Sequence, residues 1–367
     1  MKFCFFGAYK EYYPRNTIIK KGLESHGAVI LDCSLPPVFK FWIRYPLLLL
    51  KYLRFFRKHD FFFVPEFCQK DVPLAKFLSL LTGKKIIFDP LASRFETKIG
   101  DWKRKPPHSF SAWWNKKIDC MAFRLSDVIL ADTLFHRDYY LREYDISEEK
   151  IEVLPVGFDD EIFVLPSALP RRNKDSFSVL FYGSFLPLHG VDIIVKAAHE
   201  LSSKDSSVDL RLVGSGQTLP LAKKLASELH LKNVCFEPWC PYRDLALKIS
   251  SSDISLGIFG KTEKARRVVP HKIFQSMAMK IPVMTLRTPA AEEFFSHGEN
   301  IYFCPEAQPE ALAESILELK KDLGLRRKIA ENGYHLVREN YSPEVIGQDL
   351  INIVKRKLSF FKNRENC

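Results

Sequence analysis

The chain has 367 residues, 46% of them apolar and 27% charged, a globular balance that excludes disorder and suits two domains with separate cores. A formal net charge of +11 bears on partners rather than fold, and admits nucleic acid, an anionic membrane surface or a phosphate-bearing substrate. Eight cysteines without a C-x-x-C pair exclude a zinc pattern and a secreted disulfide framework, and read as reduced, mostly buried thiols of a cytosolic protein.

The sequence opens on the strand-like run Phe3-Cys4-Phe5-Phe6 with no charged leader before it, so export is not expected. With no uncharged apolar run of about 18 residues, a spanning helix is not expected either. Strand patterns fall near 2–6, 28–32, 61–64, 85–88, 127–131 and 151–154, with helical patterns such as 15–26, 71–82 and 112–125 between them. Such alternation calls for a parallel sheet covered by helices on both faces.

Residues 38–58 carry Lys40, Arg44, Lys51, Arg54, Arg57 and Lys58 with no acid, among Phe39, Phe41, Trp42, Tyr45 and a run of leucines. From Pro46 onward a helix would put Lys51, Arg54 and Lys58 on one face. Two readings are open: a helix lying on an anionic bilayer, or an ordinary sheet-packed helix whose cations snorkel outward. Nucleic acid fits less well, because no recognised nucleic-acid module accompanies the charge.

Pro155-Val156-Gly157 breaks the alternation, and Pro166, Pro170 and Arg171 to Asp175 have the composition of a linker. Strand patterns then restart at 177–182, 208–213, 233–236, 253–258, 281–285 and 301–303. Ser126-Asp127 and Ser252-Asp253 each precede an apolar strand, a short echo that fits two domains of one architecture. Beyond 308 the patterns are helical, at 308–320, 323–340 and 344–360. The expected division is 1–170, 176–345, and 346–367 as a helix returning to the first domain with a basic tail.

Three stretches of the second half carry chemistry. In Phe181-Tyr182-Gly183-Ser184, followed by Leu186-Pro187-Leu188-His189-Gly190, a strand ends at glycine and a helix opens near Gly190. Unpaired amides and the dipole at a helix start suit a phosphate, although a glycine loop is also ordinary connection chemistry. Val213-Gly214-Ser215-Gly216 repeats the pattern one strand later. In 261–275, five cations (Lys261, Lys264, Arg266, Arg267 and Lys272) face the single acid Glu263 just ahead of a helix. That is a cradle for a diphosphate or a solvated basic loop.

Residues 177–345 resemble the donor domain of the large retaining glycosyltransferase family with the GT-B fold. Phe274-Gln275-Ser276-Met277-Ala278-Met279-Lys280-Ile281-Pro282-Val283 is similar to the family's LEAMACGKPV signature. Glu293, His297-Gly298-Glu299-Asn300, Pro309-Glu310-Ala311-Leu312-Ala313 and Leu210 to Gly216 match further segments in order. In the first half, Leu154-Pro155-Val156-Gly157-Phe158-Asp159 resembles the segment before the interdomain linker. The resemblance implies an α/β fold of two Rossmann-like, doubly wound domains facing across a cleft, with C-terminal helices. It implies a nucleotide-sugar donor, UDP- or GDP-linked, a glycan or lipid-linked acceptor, retention at the anomeric carbon, and neither cofactor nor metal.

This sequence departs from the family where two glutamates normally stand eight positions apart: it has Arg267 and Gln275. Gln275 can still meet ribose hydroxyls, whereas Arg267 is expected at phosphate. The family's Arg and Lys near the first loop correspond to Ser184 and His189. The phosphate-binding charge is therefore expected at Lys264, Arg266, Arg267 and Lys272, with Gly183, Ser184, His189, Gly214 and Gln275 completing the donor site.

On the acceptor side, Arg15 and Asn16 follow the first strand, where they could touch acceptor or phosphate, with Asn16 as a plain helix cap the competing reading. Asp89, after the fourth strand, is the candidate for the polar group at the acceptor hydroxyl, or else a turn-forming Asp before Pro90. Glu96 and Asp101 are weaker candidates. Asp89 and Arg267 are thus the expected catalytic pair. Lipid-linked acceptors among relatives favour the bilayer reading of 38–58, in a protein of the cytoplasm or the inner membrane face. Two other readings remain open: a non-catalytic glycan- or nucleotide-binding scaffold, and a nucleotide-sugar epimerase or hydrolase.

Overall fold

The computed structural model describes residues 1–166 and 176–365, and the expected linker stretch from Pro170 to Asp175 lies outside them. The chain forms two compact units, Met1–Gly157 with Ser342–Cys367, and Phe158–Tyr341.

The first unit is built on six parallel strands, β1 (Lys2–Ala8), β2 (Val29–Leu35), β3 (Phe61–Val64), β4 (Lys85–Phe88), β5 (Val128–Ala131) and β6 (Ile151–Val153), in the order β2-β1-β3-β4-β5-β6. A strand covered on both faces must be apolar on both. Phe3 to Phe6 and Phe61 to Val64 meet that requirement, and the two runs lie side by side, with the Phe5 and Phe63 rings 4.5 Å apart. Strand order reverses between β1 and β3, which opens a crevice outside their carboxyl ends.

The helix Pro14–Ser25 packs against the helix Pro343–Glu365 with backbones touching. A Cβ on Gly22 would lie 2.0 Å from the Pro343 carbonyl oxygen, and one on Gly347 2.1 Å from the Gly22 carbonyl carbon. Ile346, Leu350, Ile351 and Val354 join the first unit's core, and Lys357 pairs with Glu152 at 2.6 Å. The last helix therefore completes the first unit.

The basic aromatic segment differs from the expected single helix. A helix spans Phe41–Tyr52 with Pro46 inside it, a 3-10 turn covers Leu53–Phe55, and the chain reverses at Arg57 with φ 57°. Lys58 therefore lies beyond the helix, and Lys51, Arg54 and Lys58 do not share one face. Lys51 instead donates to the Ser34 carbonyl at 2.8 Å. Among its described side chains, only the stripe Arg44, Leu48, Tyr52 is buried, while Trp42, Ile43, Leu47, Leu50 and, just beyond the helix, Leu53 stand exposed. Among the described residues, no helix is long and apolar enough to cross a membrane.

The second unit has six parallel strands, β7 (Phe177–Ser184), β8 (Val208–Ser215), β9 (Val234–Glu237), β10 (Ile254–Leu256), β11 (Val283–Leu286) and β12 (Tyr302–Cys304), in the order β12-β11-β10-β7-β8-β9. This is the doubly wound dinucleotide-fold order, with its switch point between β7 and β10. Each strand in both sheets coincides with a run that the alternation picks out. The two units are Rossmann-like, as expected.

Candidate functional site

At the carboxyl end of β7, beside the second sheet's switch point, the backbone is packed too closely for side chains at Gly214 and Gly190. Gly183 and Gly214 pair across β7 and β8, and a Cβ on Gly214 would lie 2.0 Å from the Gly183 carbonyl oxygen. Gly190, at φ 63°, starts the helix Val191–Lys204, and a Cβ there would meet the Phe259 carbonyl carbon at 2.5 Å. Phe259 and Gly260 donate their N–H groups to the carbonyls of His189 and Leu188, both at 3.1 Å. The loops after β7 and β10 are thereby joined into one floor, with the first amides of a helix beside it.

Lys272 lies in the first turn of the helix His271–Ala278 and is only 6% exposed. Its Nζ has no hydrogen-bond partner and sits 3.9 Å from the centroid of the Phe181 ring. Burial drives its pKa well below the usual lysine value. The absent side chain at Gly183 leaves this ammonium its place, since a Cβ there would stand 3.2 Å from Nζ. A buried cation without a hydrogen-bond acceptor is costly unless a ligand supplies one.

His189 is buried beside it, with Nδ1 on the Ser184 carbonyl. A carbonyl only accepts, so Nδ1 is assigned the proton. Burial, with Lys272 and Lys264 adding to it, keeps the His189 pKa well below its ordinary value, so the ring is neutral. Tyr182 ties the strand to the helix: its hydroxyl lies 2.9 Å from the Lys272 carbonyl, 3.3 Å from Gln275 Oε1 and 3.1 Å from Ser276 Oγ.

The structure thus brings Gly183, Ser184, His189, Gly214, Lys272 and Gln275 together, with Lys264 close enough to act on His189. Arg267 pairs with Glu263 at 3.3 Å, and the Arg266 side chain is exposed. The five cations expected as one cradle therefore differ sharply in environment. Phe181 and Tyr182 were not among the expected residues. The signal available for Tyr182 is a polar-tipped aromatic directly before Gly183 near the strand's end.

In the first unit, Arg15 and Asp89 are buried against each other. Arg15 Nε donates to Asp89 Oδ2 at 2.6 Å, and its other two nitrogens donate to the Pro155 and Leu154 carbonyls, each at 3.0 Å. Asp89 is fully buried and Arg15 is 1% exposed. Both were expected at substrate; in the structure the pair bridges the ends of β4 and β6. Asn16 is no cap by its side chain: its Nδ2 donates to the Lys10 carbonyl at 3.1 Å and to Glu66 Oε1 at 2.8 Å.

Glu96 and Asp101 lie in a π-helical turn, Glu96–Asp101. Glu96 meets His136 Nε2 at 3.1 Å, while Asp132 holds His136 Nδ1 at 2.6 Å. Burial works to lower the His136 pKa, but the two carboxylates raise it to about 9. The sign follows from an unfolded value near 6.5. The imidazolium stabilises the first unit fully below pH 6.5, and this contribution is lost as pH rises through about 9. Two other groups titrate nearby: Asp119, raised to about 7 chiefly by burial, and Lys98, lowered to about 8 chiefly by burial. A His136→Gln variant isolates the effect. Its melting temperature should fall well below that of the parent at pH 6.5 and approach it by pH 10, and a constant gap would refute the assignment.

Residues 168–336 match the sequence model of the family described as glycosyl transferases group 1. The chain is 30% identical over 133 residues to D-inositol 3-phosphate glycosyltransferase of Frankia alni, covering 32% of this chain and 33% of that protein. It is 24% identical to the lipopolysaccharide core biosynthesis glycosyltransferase LpsE of Rhizobium meliloti, over 50% of this chain and 51% of that one. The matched stretches span a third to a half of these curated relatives. The solved structure of Anabaena Alr3699/HepE in complex with UDP and glucose has a TM-score of 0.72 at 15% identity, covering 96% of this chain and 99% of that one. That likeness establishes the GT-B fold.

Proposed function

We propose that this chain is a glycosyltransferase that moves a sugar from a UDP- or GDP-linked donor to a hydroxyl of a glycan or lipid-linked acceptor, a reading supported by the group 1 match over residues 168–336. Transfer proceeds with retention and without a metal, and the nucleoside diphosphate leaves. The observation that carries the reading is Lys272, a buried ammonium lacking a hydrogen-bond acceptor at the switch point of a dinucleotide-type sheet. The UDP held by the Anabaena protein supports a nucleotide donor. The name of the Rhizobium relative supports a role in cell-surface polysaccharide or glycolipid synthesis.

Negative charge develops on the departing diphosphate, so the catalytic tool is a set of donors fixed in advance. Lys272 and the first amides of the helix after Gly190 serve the phosphates, and Lys264, Arg266 and Arg267 add positive field. With Gln275 Oε1 turned to Tyr182, its Nε2 remains to donate to ribose. Arg267 in place of a glutamate is the observation that favours the competing, non-catalytic reading.

One experiment separates them: a thermal-shift panel of UDP, GDP, ADP, CMP and their sugar conjugates, followed by a transfer assay with any donor that binds. A ligand at 100 times its dissociation constant stabilises by about 2.7 kcal/mol. Binding with transfer to an acceptor supports the enzyme. Binding without turnover supports the scaffold, and donor hydrolysis or epimerisation without acceptor supports the third reading.

The protein works in the cytoplasm on the inner membrane face, held by the helix Phe41–Tyr52. That reading is supported by the outward row of Trp42, Ile43, Leu47 and Leu50, flanked by Arg54 and Lys58. Trp42→Ser with Leu50→Ser should weaken binding to anionic vesicles by roughly tenfold or more. Undiminished co-sedimentation would remove the helix from the membrane.

A further inference from the structure

We propose that the first unit holds a phosphate-binding pocket for the acceptor, built from Lys10, Lys40, Lys70 and Arg94, so that the acceptor is a phosphate or diphosphate ester. The word acceptor rests on the glycosyltransferase reading. The pocket itself does not.

A cavity of about 420 Å³ opens outside the carboxyl ends of β1 and β3, floored by Ala8, Tyr9 and Lys10 on one side and Glu66 and Phe67 on the other. This is the first sheet's switch point, the position where doubly wound sheets bind ligands. Its volume suits a phosphorylated sugar or a diphosphate with part of its substituent. Phe67 stands at φ 60°, a conformation costly for a bulky residue and typical of binding sites.

The lining charge is lopsided. Lys10, Lys40, Arg44, Lys70 and Arg94 reach the cavity, against the one carboxyl of Glu66. Glu66 is buried, accepts from Asn16, and is kept toward its protonated form by burial and the neighbouring Asp89. Arg44 is already matched by Asp71 at 2.9 Å.

The remaining cations are in excess. Arg94 Nε is buried with no hydrogen-bond partner, and burial with the Arg44 charge lowers the Arg94 pKa against the pull of Asp119. Lys70 is lowered by burial and by the Arg94 and Arg44 charges. Folding gains nothing from crowding like charges into a half-buried hollow. An anion there would satisfy the guanidinium and relieve the repulsion together. The wall opposite is aromatic, with Tyr13 and Phe67 edge to face at 5.7 Å, a surface for a sugar face or an apolar stem. Pro37, Phe39 and Lys40 form the rim and lead into the exposed apolar helix.

The same phosphate could hang from a lipid or from a soluble sugar, and the test distinguishes them. Inorganic pyrophosphate is titrated into the full chain carrying Lys272→Met, which removes the buried lysine of the second unit's phosphate site. One pyrophosphate site is expected to remain and to weaken at least tenfold when Lys70→Met and Arg94→Met are added. Melting temperature should not fall in that variant, because both changes relieve repulsion, and nucleotide binding to the Lys70→Met/Arg94→Met chain with Lys272 intact should persist. Displacement by glucose 6-phosphate would assign a soluble acceptor. Displacement only by phosphatidylcholine vesicles containing phosphatidic acid would assign a lipid one. The proposal is overturned if no site remains in the Lys272→Met chain, if the site ignores the Lys70 and Arg94 changes, or if neither phosphate ester displaces pyrophosphate. A chain that binds pyrophosphate here but no nucleotide anywhere keeps the pocket and loses the enzyme reading.

Discussion

Replacing Lys272 by methionine is expected to raise the melting temperature of the ligand-free protein while weakening nucleoside diphosphate binding by roughly a hundredfold or more. The two effects have one cause. In the free protein the ammonium is buried over the Phe181 ring with no hydrogen-bond acceptor, which folding must tolerate and which an apolar side chain of similar length would not. On the proposed reading, the same atom would meet a diphosphate in a low-dielectric setting, where a charge pair is worth far more than in water. A residue that costs stability and serves binding marks a functional site.

The pH dependence sharpens the expectation. Burial lowers the Lys272 pKa in the free state, and a bound diphosphate raises it again. Above the free-state pKa, binding therefore takes up a proton, and affinity falls with rising pH by up to about tenfold per unit. Titrations in buffers of different ionisation enthalpy should register that uptake in the parent and not in Lys272→Met. Equal proton uptake in both proteins, or unchanged affinity in the variant, would move the phosphate site elsewhere.

The architecture was legible because parallel sheets make a local demand. A strand covered on both faces has to be apolar throughout, so Phe61 to Val64 or Val283 to Leu286 stand out between helical patterns. Positions at the carboxyl ends of strands were legible for the same reason, including Gly183, Gly214 and Asp89. Partners were not. Nothing near Asp89 in sequence announces Arg15, which stands 74 positions away, and nothing in the run 261–275 separates Lys272 from four other cations. Burial decides that, and burial depends on where Phe181 and Gly183 lie. The helix at 41–52 misled in another way. Its charge spacing suits a helix to Lys58, but Arg57 takes a positive φ and the turn before it is 3-10, so the periodicity ran past the end of the element. The cations at 10, 40, 70 and 94 share no local pattern; only the return of the chain to one crevice gathers them.

Asp89→Ala is expected to lower the melting temperature of the first unit by roughly 10 °C, the equivalent of about 3–5 kcal/mol for breaking a buried ion pair. The loss is large because Arg15 stays behind, buried, with a guanidinium aimed at an empty place. Arg15→Met should cost a similar amount by a different route, since it leaves the Asp89 carboxylate and the carbonyls of Leu154 and Pro155 without their donor. Burial already pushes the Asp89 pKa upward and Arg15 holds it back, so in Arg15→Met the carboxyl should protonate more readily and soften the loss at low pH. The double variant Arg15→Met/Asp89→Leu then decides the role of the pair. An apolar pair of similar volume removes both charges together, and part of the lost stability should return. If Asp89 acts by holding β4 against the end of β6, transfer activity per folded molecule should recover with stability. If instead it meets the acceptor hydroxyl, the double variant would melt near the parent temperature and still be inactive. The sequence placed Asp89 where either role is open; the 2.6 Å contact to Arg15 is the reason to expect the first.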